Sequence, residues 1–413
     1  MKRQTGILIV STMDTKAGEV GYIKDLLESQ GVRVFLLDAG IRGESPVPVD
    51  ITRNEVASAA GSTLRDVQQL GHEGKALDSM ISGAIKCAKG LYEAGKINGI
   101  LGIGGSMGTT LGSAVMRTFP IGFPKVMIST MASRNTRSFV GTKDIMMLHS
   151  VCDLAGLNRI TRQILREGAL AIAGMTEGET PITREERPLA ALSTLGTTES
   201  CVVHLRRYLE SRGMEVITFH TVGSGGEAMD ELIWNEDVQL VIDLSLHELA
   251  DHFFGGDYDA GPTRGTAALE KGIPTILVPG NTDFLVTGPA QTAKKYFPGR
   301  PMHAHNAAIT AVKTNPSEME HLAKYIADLC DKAKGPVAVI IPMGGFSAFD
   351  SPGGPLENPE GRDALAQTLE KKLPHTIPFL KSRHHINHPD FAEEVIHSIA
   401  RISHGHSEQG DYL

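Results

Sequence analysis

Short apolar runs alternate with longer amphipathic stretches along most of the chain. The first run, Gly6–Val10, is followed by a polar turn and by a helical pattern that reaches Gln30 and stops at Gly31. A second apolar run, Val32–Asp38, comes next, and this order of elements predicts a βαβ unit. Because buried strands in series with helices are typical of parallel sheets, the pattern predicts an α/β fold.

The same pattern occurs twice. The segments "STMDTKAGEVGYIKDLLESQGVRV" and "STLGTTESCVVHLRRYLESRGMEV" align Ser11 with Ser193 and Gly31 with Gly213. The shared hydroxyl turn and the shared stop predict two tandem duplicated Rossmann-like domains, each a mostly parallel sheet with helices on both faces. The polar, proline-bounded segment Thr176–Pro188 marks the boundary.

This boundary predicts an N-terminal nucleotide-binding domain over 1–180 and a C-terminal domain over 181–413. If the two domains meet across a cleft, their strand-end loops face a shared space, and the second domain is then the substrate or partner side. The first domain also carries an extra segment, Ile41–Gly95, that has no counterpart in the second.

Composition narrows the functional classes. Of 413 residues, 41% are hydrophobic and 21% charged, and the net charge of −8 gives no reason to expect a nucleic-acid partner. The four cysteines form no CxxC pair, which argues against a zinc ribbon or a disulfide framework. The same cysteine pattern favours a reducing, cytoplasmic setting. No apolar run approaches the length of a membrane span, so we expect no membrane partner.

The segment "ILGIGGSMGTTLG", Ile100–Gly112, predicts a strand that turns at glycines into a helix. Glycines let the backbone approach an anion, and the helix start offers unpaired N–H groups, which favours phosphate or carboxylate binding. The segment lacks the P-loop lysine, and Met107 stands where a dinucleotide fingerprint has its third glycine. The alternative is that these glycines only permit tight packing of the strand against the helix.

Other polar loops are expected at the same sheet edge. The turn after the first strand contains Asp14, Thr15 and Lys16, which offer a carboxylate for a metal, a hydroxyl and an ammonium for a phosphate. An ordinary helix cap is the alternative for this turn. The second strand ends at Asp38, and the hydroxyl-rich loop Ser129–Asp144 follows the strand "KVMI".

These motifs carry a family resemblance. The set "DTK", "GIGGSMGTT", "ISTMAS" followed by "GTKD", and "HAHN" resembles the ATP-binding N-terminal region of the tomato mosaic virus resistance protein and its bacterial relatives of unassigned function. The resemblance implies two Rossmann-like domains, a homodimer, and ATP bound with Mg²⁺ in the first domain. The sequence departs from the glycines expected in plant members at Met107 and Arg134.

Carried over residue by residue, the resemblance implies a binding site that draws on every one of these loops. Together with Asp38 at the end of the second strand, the cofactor-binding residues expected are Asp14, Thr15, Lys16, Gly104, Gly105, Ser106, Met107, Gly108, Thr109, Thr110, Ser129, Thr130, Ser133, Gly141 and Thr142. Either Asp14 or Asp144 would hold Mg²⁺, directly or through water.

The second domain contains three candidate catalytic side chains, Glu248, His305 and Asp350. His305, in the stretch His303–Asn306, is a candidate general acid or base, and Asp350 lies in a glycine-rich turn suited to an anion. Glu248 belongs to the stretch His247–His252. If this stretch is helical, its two i,i+4 pairs point about 100° apart, so its four ligand-type side chains cannot face one ion.

Another histidine-rich stretch, Arg383–Asp390, ends in a Pro-Asp pair that predicts the start of a helix.

Three functions fit these observations. The first is an ATP-dependent enzyme that acts on a small anionic metabolite at the interdomain cleft. The second is a non-catalytic nucleotide-binding module that engages a protein partner. The third is a hydrolase, isomerase or aldolase-like enzyme in which the glycine loops hold the phosphate of a sugar-phosphate substrate.

Overall fold

The computed structural model describes residues 6–177 and 187–403, and contacts along the chain divide it into two units, Met1–Thr183 and Arg184–Leu413. Most of the predicted boundary, Thr176–Pro188, lies outside the described residues.

The N-terminal unit is built on one sheet of five parallel strands in the order β2-β1-β3-β4-β5. Its strands are β1 (Gly6–Ser11), β2 (Arg33–Asp38), β3 (Gly99–Gly104), β4 (Lys125–Ser129) and β5 (Met146–His149). The chain moves outward from β1 to β2 and then returns to the other side of β1 for β3. The sheet therefore has a switch point between β1 and β3, where the loops that follow these strands diverge.

Helices cover both faces of this sheet. They are α1 (Met13–Glu28), α2 (Arg53–Ala59), α3 (Leu64–Gln68), α4 (Glu73–Glu93), α5 (Ser106–Met116), α6 (Arg137–Val140) and α7 (Arg159–Glu177). Alternate residues of β1 point to opposite faces, so Ile7 and Ile9 pack with α1 and α7. Leu8 and Val10 pack with α4 and α5.

The C-terminal unit repeats this plan with one more strand. Its parallel sheet has the order β7-β6-β8-β9-β13-β14, which places a switch point between β6 and β8. A second, antiparallel sheet has the order β10-β12-β11. The strands are β6 (Leu189–Thr194), β7 (Glu215–His220), β8 (Val238–Ser245), β9 (Thr275–Gly280), β10 (Phe284–Thr287), β11 (Met302–Ala304), β12 (Thr310–Lys313), β13 (Val337–Pro342) and β14 (Phe379–Ser382).

The helices of the C-terminal unit are α8 (Glu199–Ser211), α9 (Ser224–Asn235), α10 (His247–Phe254), α11 (Ala267–Lys271), α12 (Ala290–Tyr296), α13 (Pro316–Asp331), α14 (Pro359–Lys372) and α15 (Pro389–Ser403). The helices α8 and α15 share a core with Leu192 and Ile242 on one face of the sheet. On the other face, α9 and α11 pack against Ala191 and Val241.

The predicted fold class is confirmed. Both units are α/β, each has a mostly parallel sheet with helices on both faces, and the duplicated βαβ pattern corresponds to β1-α1-β2 and β6-α8-β7. The three-stranded antiparallel sheet was not expected from the sequence. Within residues 6–177 and 187–403, no helix is both long enough and apolar enough to cross a membrane.

Candidate functional site

A cavity of about 730 Å³ lies at the switch point of the N-terminal sheet. Its lining comes from the turn after β1, the segment after β2, the turn after β3, and the helices α3 and α4. The predicted residues that it brings together are Asp14, Thr15, Lys16, Gly104, Gly105, Ser106, Met107 and Gly108. This volume is within the range of cavities that hold small ligands.

The turn after β3 has two roles. A Cβ atom on Gly104 would lie 2.7 Å from the Cα of Gly108, so these two glycines allow the strand and α5 to approach closely. The first N–H groups of an α-helix have no intrahelical acceptor, and Gly105, the N-cap of α5, has no side chain to cap them. The packing role expected of the glycines is therefore compatible with an anion-binding helix start.

Two charged side chains at the start of α1 line the same cavity. Asp14 accepts a hydrogen bond from the backbone N–H of Gly43, with 3.1 Å between Oδ2 and N. The Nζ of Lys16 donates to the carbonyl oxygen of Leu154 at 2.6 Å. An ammonium group has three N–H donors, so this bond leaves donors of Lys16 for a ligand.

The segment that follows β2 closes one side of the cavity, as expected for this sheet edge, but its lining residues Ile41 and Arg42 were not among the binding residues predicted from the sequence. Arg42 pairs with Glu73 at the start of α4. The Nδ1 of His72 accepts the N–H of Gly74 at 3.1 Å and caps the same helix. The position of Arg42, four residues after the end of β2, was the available signal, because loops after parallel strands form such sites.

Several other predicted binding residues have a structural place near this edge. Asp38 is buried and accepts the N–H groups of Met13 at 3.0 Å and Gly40 at 2.8 Å, so it fixes the turn that carries Asp14. The hydroxyls of Thr109 and Ser129 are 2.5 Å apart in the interior and join α5 to β4. Thr110 is exposed and donates to the carbonyl of Ser106.

Among the described residues, the cavity lining includes neither Thr130 nor Ser133.

The placement expected for the second half of the loop Ser129–Asp144 is wrong. The carboxylate of Asp144 accepts hydrogen bonds from the Nζ of Lys125 at 2.6 Å and from the N–H of Gly122 at 2.8 Å. Since Lys125 begins β4, this contact lies at the amino edge of the sheet, opposite the cavity. Burial lowers the pKa of Lys125, and Asp144 acts against this shift.

The cavity position expected for Gly141 and Thr142 is not observed either. A Cβ atom on Gly141 would lie 3.0 Å from the Cδ of Arg117, which follows the last residue of α5. The parallel strands β4 and β5 require a crossover that returns the chain to the amino edge before β5 begins. Asp144 therefore does not join Asp14 at a metal site, and Gly141 and Thr142 do not line the cavity.

At the switch point of the C-terminal sheet, the charged groups bind each other. The guanidinium of Arg264 is buried and donates to both carboxylate oxygens of Asp243 at 2.7 and 2.8 Å, and to Glu248 at 2.6 Å. The other oxygen of Glu248 accepts the N–H groups of Gly223 at 2.6 Å and Gly226 at 3.0 Å. Burial raises the pKa of Glu248 although Arg264 acts to lower it.

The catalytic role expected for Glu248 therefore does not fit, because its two oxygens hold Arg264 and the start of α9 and the side chain is fully buried. The stretch His247–His252 forms the start of α10. The Nδ1 of His247 lies 2.7 Å from the carbonyl of Asn281, while that of His252 lies 2.8 Å from Asp259. These side chains have separate partners, as the helical spacing predicted.

The other two candidate catalytic residues lie in different surroundings. Asp350 is buried, pairs with Arg362, and accepts the N–H of Asn358 at 2.6 Å. Nearby, the hydroxyl of Ser347 donates to Asp283 at 2.6 Å, and burial together with the Asp350 carboxylate raises the pKa of Asp283 to about 8. His305 is exposed in the turn between β11 and β12. Asp350 is therefore held by Arg362 and by the N–H of Asn358, and His305 is not part of this buried group.

The fold and the cavity define a two-domain α/β protein with Rossmann-like sheets and a ligand-sized site at the switch point of the first sheet. The chain belongs to the uncharacterised protein family UPF0261. The model of the family's N-terminal domain matches residues 5–181, and that of its C-terminal domain matches residues 187–403.

The relatives agree with this assignment. A UPF0261 protein of Clostridium tetani is 36% identical over 387 residues, which cover 94% of this chain and 96% of the relative. The tomato protein "ToMV resistance protein Tm-1(GCR237)" is 34% identical over 317 residues, which cover 74% of this chain and 41% of the plant protein. The predicted membership of a family with bacterial and tomato members is thus confirmed.

Among solved structures, the UDP-GlcNAc 2-epimerase of Methanocaldococcus jannaschii, in complex with UDP-GlcNAc and UDP, is 13% identical. The match covers 66% of this chain and 83% of the epimerase, with a TM-score of 0.22. A likeness of this strength carries no argument about ligand or function.

Proposed function

We propose that the N-terminal unit binds ATP with Mg²⁺ in the cavity at its switch point. The observation that carries this proposal is that the start of α5, which has no side-chain cap at Gly105, borders the same cavity as Lys16 and Asp14. A helix start and an ammonium group both favour the negative charge of a phosphate chain. A volume of about 730 Å³ suits a ligand larger than phosphate alone.

The chemistry of the lining fits the separate parts of the nucleotide. The N–H groups from Ser106 to Gly108 and the ammonium of Lys16 would hold phosphate oxygens. Asp14 would supply the carboxylate for Mg²⁺, an ion that usually takes one or two carboxylates and completes its shell with phosphate oxygens and water. Bound in this way, Mg²⁺ would neutralise phosphate charge. The resemblance noted from the sequence points to the same ligand.

The apolar part of the lining favours a nucleotide over a small inorganic anion. Val67, Ala76 and Leu77 come from α3 and α4 and line the same cavity as the charged turns. An aromatic base needs such apolar surface, whereas a phosphate ion does not. The segment after β2 would then contact the base and the ribose.

A thermal-shift panel tests the ligand class. The full chain is heated with ATP, ADP, NAD or a sugar phosphate, each with and without Mg²⁺. A ligand at a hundred times its dissociation constant stabilises the folded state by about 2.7 kcal/mol, so we expect ATP with Mg²⁺ to raise the unfolding temperature measurably.

The variant Asp14→Asn keeps an oxygen for the N–H of Gly43 and removes the charge, so we expect it to abolish the Mg²⁺-dependent part of the shift. Asp25→Asn, an exposed position on the same helix, is the matched control. If no nucleotide shifts the unfolding temperature, the proposal is overturned. A shift with sugar phosphates alone would indicate that the ligand is a sugar phosphate and not ATP.

A further inference from the structure

The C-terminal unit contains a cluster of imidazole and carboxylate groups where the chain passes from β14 into α15. His384 and His388 lie in the connecting turn, and Asp390 and Glu394 lie in the first two turns of the helix. Ligand atoms of His384, His388 and Asp390 all lie within 4.8 Å of one another. Within residues 6–177 and 187–403, no other group of three or more potential metal ligands comes this close together.

Backbone contacts fix the positions of these side chains. The N–H of His384 donates to the Ser382 hydroxyl at 3.1 Å, and its carbonyl accepts the N–H of Gly344 at 3.0 Å. Asp390 and Glu394 are four residues apart on α15 and therefore share a helix face. The rings of His384 and His388 stack with their centroids 4.7 Å apart and their planes 20° apart.

The distances between imidazole and carboxylate groups in the cluster are too long for direct hydrogen bonds. The Nδ1 of His388 instead accepts the backbone N–H of Asp390 at 3.2 Å, so Nε2 is the nitrogen of this ring that could bind an ion. The Nε2 of His384 is 3.7 Å from Asp390 and 3.9 Å from Glu394, and the Nδ1 of His388 is 3.7 Å from Asp390. Side-chain hydrogen bonds require about 3.2 Å or less. In contrast, ligands around a tetrahedral ion with bonds of about 2.0–2.1 Å lie roughly 3.3 Å apart, so small side-chain movements would complete such a shell.

A buried oxygen in the cluster also has no partner. The Oε2 atom of Glu394 is shielded from solvent and forms no hydrogen bond with any described residue. Buried polar atoms are nearly always satisfied, because leaving one unpaired is costly. A cation bound by His384 would lie beside this carboxylate and balance its charge.

We propose that His384, His388 and Asp390, with Glu394 as an adjacent carboxylate, form a site for a divalent transition metal such as Zn²⁺. Two imidazoles with a carboxylate favour such ions over Mg²⁺, which prefers oxygen ligands. The bound ion joins the turn after β14 to the start of α15, and the site is independent of the nucleotide proposed for the N-terminal unit.

The test uses the full chain without a histidine tag, stripped with a chelator and kept free of nucleotide. Zn²⁺ is titrated in competition with a chromogenic chelator, and Co²⁺ is added separately as a spectroscopic probe. We expect one tight equivalent of Zn²⁺ per chain and a Co²⁺ absorption band that Zn²⁺ removes.

His384→Gln and His388→Asn should each lower the affinity for this Zn²⁺ ion by at least about tenfold and remove the Co²⁺ band. Asparagine at 388 retains a side-chain acceptor for the N–H of Asp390, which the ring of His388 now accepts at 3.2 Å, so the start of α15 is preserved. The control is His397→Gln, an exposed histidine on the same helix, which should bind Zn²⁺ as the unmodified chain does.

Zn²⁺ binding of unchanged strength in His384→Gln and His388→Asn would overturn the proposal. Failure of the unmodified chain to bind Zn²⁺ would also overturn it, as would equal competition by Mg²⁺. None of these results bears on ATP binding, so the two proposals fail separately.

Discussion

At the switch point of the N-terminal sheet, Lys16 and Asp14 border an open cavity, whereas in the C-terminal sheet Arg264 is enclosed between Asp243 and Glu248. The two sheets share the order of their first strands, so the difference comes from the loops. In one unit Lys16 and Asp14 bond to backbone groups and border the cavity, and in the other the charged side chains pair with one another. Duplication of a fold therefore does not imply duplication of its site.

The aligned turns explain part of this difference. Gly196 and Thr198 replace Asp14 and Lys16 in the second copy, which removes both charges. Thr198 is buried and donates to the carbonyl of Leu195 at 2.9 Å. The side-chain amide of Asn281 donates to the hydroxyl of Thr197 at 2.5 Å, so amide and hydroxyl groups fill the space beside this turn.

Among the variants that test this difference between the two units, removal of the buried arginine should change the free energy of unfolding most. In Arg264→Met, Asp243 and Glu248 lose their shared cation while they remain buried, and we expect the free energy of unfolding to fall by about 3–5 kcal/mol. Chemical denaturation of the full chain measures this change. Arg206→Met, which breaks an exposed pair with Glu210, should change it by less than about 0.5 kcal/mol. Similar losses in the two variants would show that the Arg264 network does not stabilise the unit.

The second effect concerns pH. The pKa of Asp283 is about 8 in the folded chain against 3.8 for an unperturbed carboxyl, so the folded state holds an extra proton between these values. This contribution to stability is present below the unfolded pKa and is lost as pH rises through about 8, with a slope of at most about 1.4 kcal/mol per pH unit.

Asp283→Asn should therefore flatten the decline in unfolding free energy between about pH 6 and pH 8, as measured by denaturation at each pH. The exposed Asp328→Asn should keep the decline of the unmodified chain. If Asp283→Asn declines as steeply as the unmodified chain, the titrating group lies elsewhere.

The smallest expected effect is that of Thr109→Val, a variant that should change packing in the N-terminal unit without changing ATP binding. Thr109→Val removes the buried bond to Ser129, and we expect the unfolding free energy to fall by about 1 kcal/mol. Because Thr109 does not line the cavity, affinity for ATP should stay within about threefold of the unmodified value. Thr110→Val, at an exposed neighbour, should change stability less. A large loss of ATP affinity in Thr109→Val would show that Thr109 contributes to the binding site.

Much of the framework follows from local sequence. The apolar alternation predicts β1, α1 and β2, and the stops at Gly31 and Gly213 have φ values of +78° and +82°, which glycine adopts without strain. The glycine run after β3 predicts the strand-to-helix turn at Gly105, because both its close packing and its helix start are local properties.

The remaining features depend on long-range packing. Hydroxyl and charged residues are spread along the whole loop Ser129–Asp144, so its sequence does not mark where the chain returns from one sheet edge to the other. Arg264 lies in an ordinary loop, and only the folded chain brings it to Glu248. The position of Arg42 beside Glu73 likewise depends on how α4 packs against the sheet.

The most direct test of the central claim is calorimetric titration of the full chain with ATP in excess Mg²⁺. The unmodified chain and Lys24→Met, a partly exposed lysine on the same helix, should each bind one ATP with equal affinity. Lys16→Met should bind at least about tenfold more weakly, a loss of about 1.4 kcal/mol or more. Equal binding by Lys16→Met, or no binding by the unmodified chain, would contradict an ATP site at the switch point of the N-terminal sheet.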